Sequence, residues 1–522
     1  MPSSPLHRSA AALVLALGTL ACLPSVAAVP AHSGIGWVAA STDAEVDRAF
    51  ALARQSGRPV YLYWGAVWCP PCNQVKATLF TRPDFVERSR AFIPVYVDGD
   101  RPGAQKIASR FKVSGYPTMV VFRPDGTEIT RLPGEVDPQR YLLTLSAALN
   151  AQAPVKELVS RGLAGQKLSD EQWNLLAYYS WDTDEQQVLP TAELAKRLSE
   201  LSAKVPANLP HLRDRLALKA ISARVEDAPD AATVQADRGT VERILAEPES
   251  VRQQWDQLIG VSDRSVKYLA PDPAVRASLA NAWDKALARR MAEGSLSNSD
   301  QIDGLYARVT LLKLADRSET LPQARVDEIQ RETLRVVAAT SDRYERQAVV
   351  PSAAHVLSQA GLLDASDALL KAELPRAVAS YYHMLALADN AKKRKDARGA
   401  LSWYEQAWKA SEGPATRIQW GANYVRQVIE LTPNDVQRIS AASRAVVSGL
   451  EPKSETFFER NQRSLQRMAK RLAEWQGSDS GRSQVVTQLR TDLEKVCRKV
   501  PAKEPGRANC EQVFTARGAT SS

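Results

Sequence analysis

The sequence predicts two architectures in one chain: an α/β domain, with a mixed sheet flanked by helices, and then a large all-α helical array. Three observations carry this expectation. Helix-like and strand-like runs alternate from Thr42 to Leu149 and include one strand hairpin. After Ala153-Pro154 the strand pattern stops, and amphipathic helical stretches recur instead. Cys69 and Cys72 lie two residues apart where an apolar strand gives way to a helix-compatible run.

Thr42-Asp43-Ala44-Glu45 forms a capping box, followed at helical spacing by Val46, Ala49, Phe50 and Ala53. Gly57 ends that helix and Pro59 prevents its continuation. Val60 to Gly65 reads as a buried strand, and a helix is expected over 71–80. Arg82-Pro83-Asp84 starts a short helix. Residues 92–98 form a second strand, whose Pro94 requires a position near its start or at an edge. A helix over 102–111 and a turn at Gly115-Tyr116-Pro117-Thr118 lead into the strand 119–122. Arg123-Pro124-Asp125-Gly126 turns the chain back into a partner strand over 128–132. Asp137-Pro138 then opens a helix containing Leu142, Leu145 and Leu149.

Beyond Ala153-Pro154, helical stretches are expected over 170–179, 192–201, 212–225, 240–245, 275–291 and 325–338. A degenerate repeat lies within 353–425. Met384, Leu387, Ala388, Ala391, Ala400, Tyr404 and Ala407 sit where a tetratricopeptide repeat places its packing residues. Small residues there let two helices approach, and the tyrosine fills the space between them. The expected organisation is a signal peptide at 1–28, a linker at 29–41 and the α/β domain at 42–151. A helical region at 152–345, tetratricopeptide-like repeats at 346–450, and C-terminal helices and tail at 451–522 follow.

The chain has 522 residues, 44% of them hydrophobic and 24% charged, which suits a globular protein of several domains. His7 and Arg8 precede an apolar run over 11–23, and Val26-Ala27-Ala28 supplies a small-residue cleavage site. That is the pattern of a secretory signal, so export to the periplasm is expected. Cys22 follows Thr19-Leu20-Ala21, a poor lipidation site, so a lipoprotein is not expected. Export permits disulfides, and the four remaining cysteines form the pairs Cys69 with Cys72 and Cys497 with Cys510. The formal charge of +9 is interspersed with acids, as on solvated helix faces, and without a stacking-and-basic motif no nucleic-acid partner is expected.

The chemistry concentrates in Trp68-Cys69-Pro70-Pro71-Cys72. Free N–H groups and the positive dipole end of a helix favour a thiolate on the first cysteine. A zinc site would need two more ligands, which the neighbouring sequence does not supply, so no metal is expected. No phosphate-binding glycine loop or nucleophile elbow occurs, and no cofactor is expected. The five histidines are scattered. Trp173, Tyr178, Tyr179 and Trp181 read as core packing rather than a ligand site. Cys497 and Cys510 flank a loop-like segment with Pro501, Pro505 and Gly506, and read either as a structural disulfide or as a second redox pair.

Trp68-Cys69-Pro70-Pro71-Cys72, Val97-Asp98, Gly115-Tyr116-Pro117-Thr118 and Gly134 together resemble the thioredoxin family. Within it, the spacing to Leu79-Phe80, Pro83 and Val86 is similar to periplasmic thiol:disulfide interchange domains of the DsbD type. The Pro-Pro interior also resembles thioredoxin-like proteins of cytochrome c maturation. The resemblance covers residues 42–151 and implies a thioredoxin fold. It implies Cys69 as the nucleophile at the exposed end of the helix and Cys72, deeper, as the resolving thiol. It makes Pro117 a cis proline facing the cysteines, with Tyr116 offering backbone groups to an extended substrate. Trp68 would pack beside the pair, while Pro70 and Pro71 stiffen the ring. One position departs from the family: Tyr63 stands where thioredoxins carry a buried aspartate, leaving Asp98 or Glu128 as the acids that could approach.

The expected function is therefore an exported thiol–disulfide oxidoreductase, a reductase or interchange protein acting on protein disulfides. It would draw on an external protein electron donor or acceptor, and its helical region would bind an envelope protein. The alternative is an envelope scaffold in which the array assembles partners and the thioredoxin-like domain only docks.

Overall fold

The computed structural model describes residues 34–134, 137–225, 230–261, 263–316 and 320–515. The expected signal peptide with Cys22, and the first part of the expected linker, lie outside them. A five-stranded mixed sheet has the order β1 (Val38–Ala40), β3 (Ile93–Asp98), β2 (Val60–Gly65), β4 (Thr118–Phe122), β5 (Glu128–Leu132). β1, β3 and β2 run parallel, while β4 is antiparallel to β2 and β5 to β4. The helices of this domain are α1 (Asp43–Ser56), α2 (Pro70–Thr78), α3 (Pro83–Arg88), α4 (Ala104–Phe111) and α5 (Pro138–Leu149).

Local chemistry explains the boundaries. Both capping-box bonds close at Thr42 and Glu45, and Gly57 takes φ 66 beyond the end of α1. Pro94 pairs with Tyr61 of β2, whereas β1 reaches only Val95, so the missing N–H of Pro94 breaks no ladder to β1. Alternate strand residues feed two cores. Val60, Leu62, Trp64, Val95 and Val97 pack with α1 and α4, whereas Tyr61, Tyr63, Tyr96, Met119 and Val121 face the other layer.

The linker expected at 29–41 needs correction. Val38–Ala40 is a strand, and Ile35 and Trp37 join the core. A three-residue run is too short to show period-two alternation, and it becomes a strand because β3 offers it an unpaired edge.

From Val155–Leu163 to Pro505–Glu511 the described residues contain helices and no strand. The change at Ala153-Pro154 is not a gap between cores, because Ala153, Val155 and Leu158 belong to the cluster that holds Tyr61 and Tyr63. Trp173, Tyr178, Tyr179 and Trp181 lie buried in that same cluster. Arg131, fully buried, ties the sheet to the array: its guanidinium pairs with Glu128 and donates to the carbonyls of Phe111, Lys112 and Thr183. The helices Ser380–Lys393 and Ala397–Ala410 pack together through Ala388, Ala391, Ala400 and Tyr404, whose hydroxyl donates to Asp389 at 2.5 Å.

Cys497 and Cys510 form a disulfide. The segment expected as a loop around Pro505 is instead the start of the helix Pro505–Glu511, and Cys510 lies within it. A proline is compatible with the first helical turn, because the N–H it lacks has no intrahelical acceptor there.

Candidate redox site

β2 ends at Gly65, and a short turn through Trp68 carries the chain to Cys69, the N-cap of α2. Cys69 and Cys72 are joined in a disulfide, with their Cα atoms 5.2 Å apart. The Cys69 sulfur accepts a hydrogen bond from the backbone N–H of Cys72 at 3.1 Å. That amide is one of the donors a helix start leaves free, and it is placed to favour negative charge on the sulfur when the bond is reduced. Pro70 and Pro71 occupy the first helical positions, where no intrahelical N–H is needed. Asn73, fully buried, braces the turn by donating to the carbonyls of Val67 at 2.7 Å and Cys69 at 2.9 Å. The peptide bond between Tyr116 and Pro117 is cis. Trp68 lies 5.3 Å from Tyr116, centroid to centroid, so the loops before α2 and before β4 meet beside the cysteines.

The comparisons with known proteins agree with this geometry. A thioredoxin-like domain model matches residues 46–149. The thioredoxin of Mycolicibacterium smegmatis is 31% identical over 94 residues, which are 18% of this chain and 81% of that protein. The chain belongs to the thioredoxin family. The thiol:disulfide interchange protein DsbD 1 of Pseudomonas aeruginosa is 33% identical over 119 residues, 22% of this chain and 20% of that protein. The chain thus spans about a fifth of the length of that relative. A solved thioredoxin from Thermus thermophilus is 30% identical, covering 21% of this chain and 83% of its own, with a TM-score of 0.19.

As a thioredoxin-family site it has an unusual setting, because the helical array covers it. Cys69 is 1% exposed and Cys72 0%. The expectation of an exposed Cys69 is therefore corrected: Cys69 and Cys72 share a buried cluster with Trp68, Ala379, Tyr381, Ala407 and Trp420. Trp68 stacks on Tyr382 at 5.9 Å and meets the edge of Trp420 at 5.1 Å. Gln347 donates to the Trp68 carbonyl at 3.4 Å and accepts from the Ala379 N–H at 3.1 Å, bridging the redox loop to the array. Gln105 links the two parts again, donating to the Tyr116 hydroxyl at 3.1 Å and accepting from the Arg460 N–H at 3.1 Å. Gly413, at φ 81, approaches so closely that a Cβ there would lie 2.8 Å from that of Asp100. Cavities of about 1120 Å³ and 360 Å³ flank the pair, one beside Pro70 and Pro71, the other beside Pro117 and Gly134, both walled by the array.

Tyr63, at the family's acid position, is fully buried and donates to the Cys72 carbonyl at 3.4 Å. Burial, together with the charge of Asp98, pushes its phenol well above the usual range, so it remains a neutral donor. Of the two acids expected to approach, Glu128 is committed to Arg131. Asp98, at the end of β3 and opposite Gly65, is the one near the site, and burial raises its pKa. Lys76, one helical turn after Cys72, faces it electrostatically. Part of this side chain reaches solvent, yet the protein packed around it pulls its ammonium down to about 8. Asp98 and Lys76 thus carry interacting charges on the strand and the helix that flank the cysteine pair, with the Lys76 ammonium over the Tyr344 ring at 5.9 Å.

Sequence reasoning missed Asn73, Lys76, Asp100, Gln347, Trp420 and Arg460. Lys76 carried a weak signal, being four residues after Cys72 on a helix. Asn73 is local too, bonding to Val67 and Cys69 within six residues, but no residue pattern singled it out. Gln347, Trp420 and Arg460 reach the site through long-range packing, and Asp100 is buried by it, for which no local pattern exists.

Asp100 lies under the array beside Asp98, Trp68 and Arg460, and accepts a hydrogen bond from Thr416. Burial first, and the Asp98 charge second, raise its pKa to about 7. A free carboxyl titrates near about 3.9. Between those limits the folded protein holds a proton that the unfolded chain has lost, so stability falls as pH rises through this window. Asp100→Asn keeps a neutral side chain and is expected to remove on the order of 1–4 kcal/mol of that decline. Melting temperatures measured from pH 4.5 to 7.5 check this; a variant with the wild-type slope refutes it.

Proposed function

We propose that the chain is an exported thiol–disulfide oxidoreductase, acting as a reductase or interchange protein on protein disulfides. The observation that carries the reading is the Cys69–Cys72 disulfide at the start of α2, with the Cys69 sulfur held by the Cys72 N–H. In the reduced state the Cys69 thiolate attacks one sulfur of a client disulfide and expels the other as a thiolate, which takes up a proton. Cys72, deprotonated as it reacts, then attacks the Cys69 sulfur. The Cys69–Cys72 bond re-forms and the second client thiol is released. Two electrons pass from the pair to the client, and a separate dithiol protein must return them. Tyr116 and Pro117 line the cavity assigned to an extended client segment.

The fraction exported would start at Val29, after removal of residues 1–28. The similarity to a thiol:disulfide interchange protein supports a role in the same chemistry. No helix among the described residues is long and apolar enough to cross a membrane. The tetratricopeptide-like array is assigned the choice of client or envelope partner, because its residues cover the cysteines.

Full-length Cys72→Ser, expressed in a Gram-negative host and recovered from the periplasm, is expected to retain client proteins as mixed disulfides on Cys69. Mass spectrometry of the adducts reads both the attachment site and the mature N-terminus. Absence of any adduct on Cys69 would sink the enzymatic reading.

A further inference from the structure

The aromatic ring of Trp68 also forms a wall of a separate cavity of about 300 Å³. Tyr382 and Trp420 share that wall, and Arg426, Arg460 and Arg467 supply its charge. Arg426 comes from the helix Pro414–Leu431, and the other two from the helix Glu459–Gln476. Arg460 and Arg467 are seven positions apart, so both lie on one face of their helix, about two turns apart.

No aspartate or glutamate lines this cavity among the described residues. Arg463, on the same helix, is neutralised by Glu459 at 2.6 Å, but among the described residues no ion pair forms with Arg426, Arg460 or Arg467. Arg460 lies over the rings of Trp68 and Tyr116, at 5.1 and 5.2 Å, and feels the charge of buried Asp100. Among the described residues, Arg467 donates only to the Ser464 hydroxyl, at 3.2 Å. Partial burial, and then the fields of Arg426, Arg463 and Arg460, hold the Arg467 guanidinium below its ordinary pKa. Three guanidiniums that repel one another cost energy in the empty protein, and an anion placed between them recovers it.

A second observation points the same way. Trp420, 7% exposed, lines this cavity, and its indole N–H has no partner among the described residues. Unpartnered buried polar groups are uncommon, and an N–H donor beside three guanidiniums suits an oxyanion.

We propose that this cavity is an anion-binding site, in which Arg426, Arg460 and Arg467 hold oxyanion charge, a phosphate or neighbouring carboxylates, next to the redox loop. Guanidinium forks match the paired oxygens of phosphate and carboxylate groups alike. The charge therefore arrives either as free phosphate or on the side chains of an acidic peptide.

The test is calorimetric titration of the full-length oxidised protein with inorganic phosphate in one arm and a triglutamate peptide in the other. Binding is expected in at least one arm, and it should weaken as ionic strength rises. The Arg426→Gln, Arg467→Gln double variant should lose at least about tenfold in affinity, the scale of one or two charge-assisted hydrogen bonds. Arg467→Lys, which keeps the charge on an exposed position, should lose less, and Arg331→Gln, on the helix Gln323–Ala339 and not among the cavity's lining residues, should lose nothing. Phosphate binding alone assigns a free anion, and peptide binding alone assigns an acidic segment of another protein. No binding in either arm, an affinity unchanged in the double variant, or an equal loss in Arg331→Gln overturns the proposal.

Discussion

Cys69→Ser is expected to reduce disulfide-reducing activity to the level of the buffer control. A serine hydroxyl is not ionised near neutral pH and cannot form the mixed disulfide, so both the attack and the covalent intermediate are lost. The assay is reduction of a protein disulfide in the presence of a dithiol, with wild type and variant at equal concentration. The fold should survive, because the substitution is nearly isosteric and the Cys72 N–H still finds an oxygen acceptor at the N-cap. Unchanged melting temperature with lost turnover separates chemistry from folding. Activity retained by Cys69→Ser would contradict the assignment of the nucleophile. The Cys69→Ser, Cys72→Ser double variant addresses the scaffold reading: a cellular role that survives in it would place the function in the array.

The second large effect concerns access. With Cys69 1% exposed beneath Tyr382, Trp420 and Ala379, an attacking or attacked sulfur reaches it only after the array moves. Gln347 is the polar latch of that contact. Gln347→Ala leaves the Ala379 N–H and the Trp68 carbonyl buried without their bonds, at about 1–3 kcal/mol. If that energy favours opening, alkylation of Cys69 should speed up by roughly tenfold, since about 1.4 kcal/mol is a factor of ten. Trp420→Ala should act more strongly, as it removes a large side chain from the same cluster. The measurement is the iodoacetamide rate at Cys69 in the Cys72→Ser background, read by peptide mass spectrometry. Equal rates in wild type and both variants would show that the contact does not govern access. Faster alkylation accompanied by faster reduction of a bulky client would make the array a selective cover rather than a passive appendage.

How much was legible in the sequence follows from the range of the forces involved. The capping box at Thr42, the Pro-Asp-Gly turn at 124–126 and the helix start at Asp137-Pro138 each depend on neighbours within four residues, and each appears as read. The cysteine pair and the Gly-Tyr-Pro-Thr turn were legible for the same reason, since the chemistry needs those residue types at that spacing. β1 was not, because three residues carry no period, and their strand conformation comes from the free edge of β3.

The burial of Cys69 was not legible either. A helix N-terminus predicts an accessible thiol when the domain is considered alone, and every signal in residues 42–151 describes that domain alone. Contacts between Trp68 and residues 347, 382, 420 and 460 join segments nearly three hundred residues or more apart. Local sequence therefore determined the redox chemistry and the elements that present it. Long-range packing of the array determined who can reach it, because burial is a property of surfaces brought together and not of any stretch of chain.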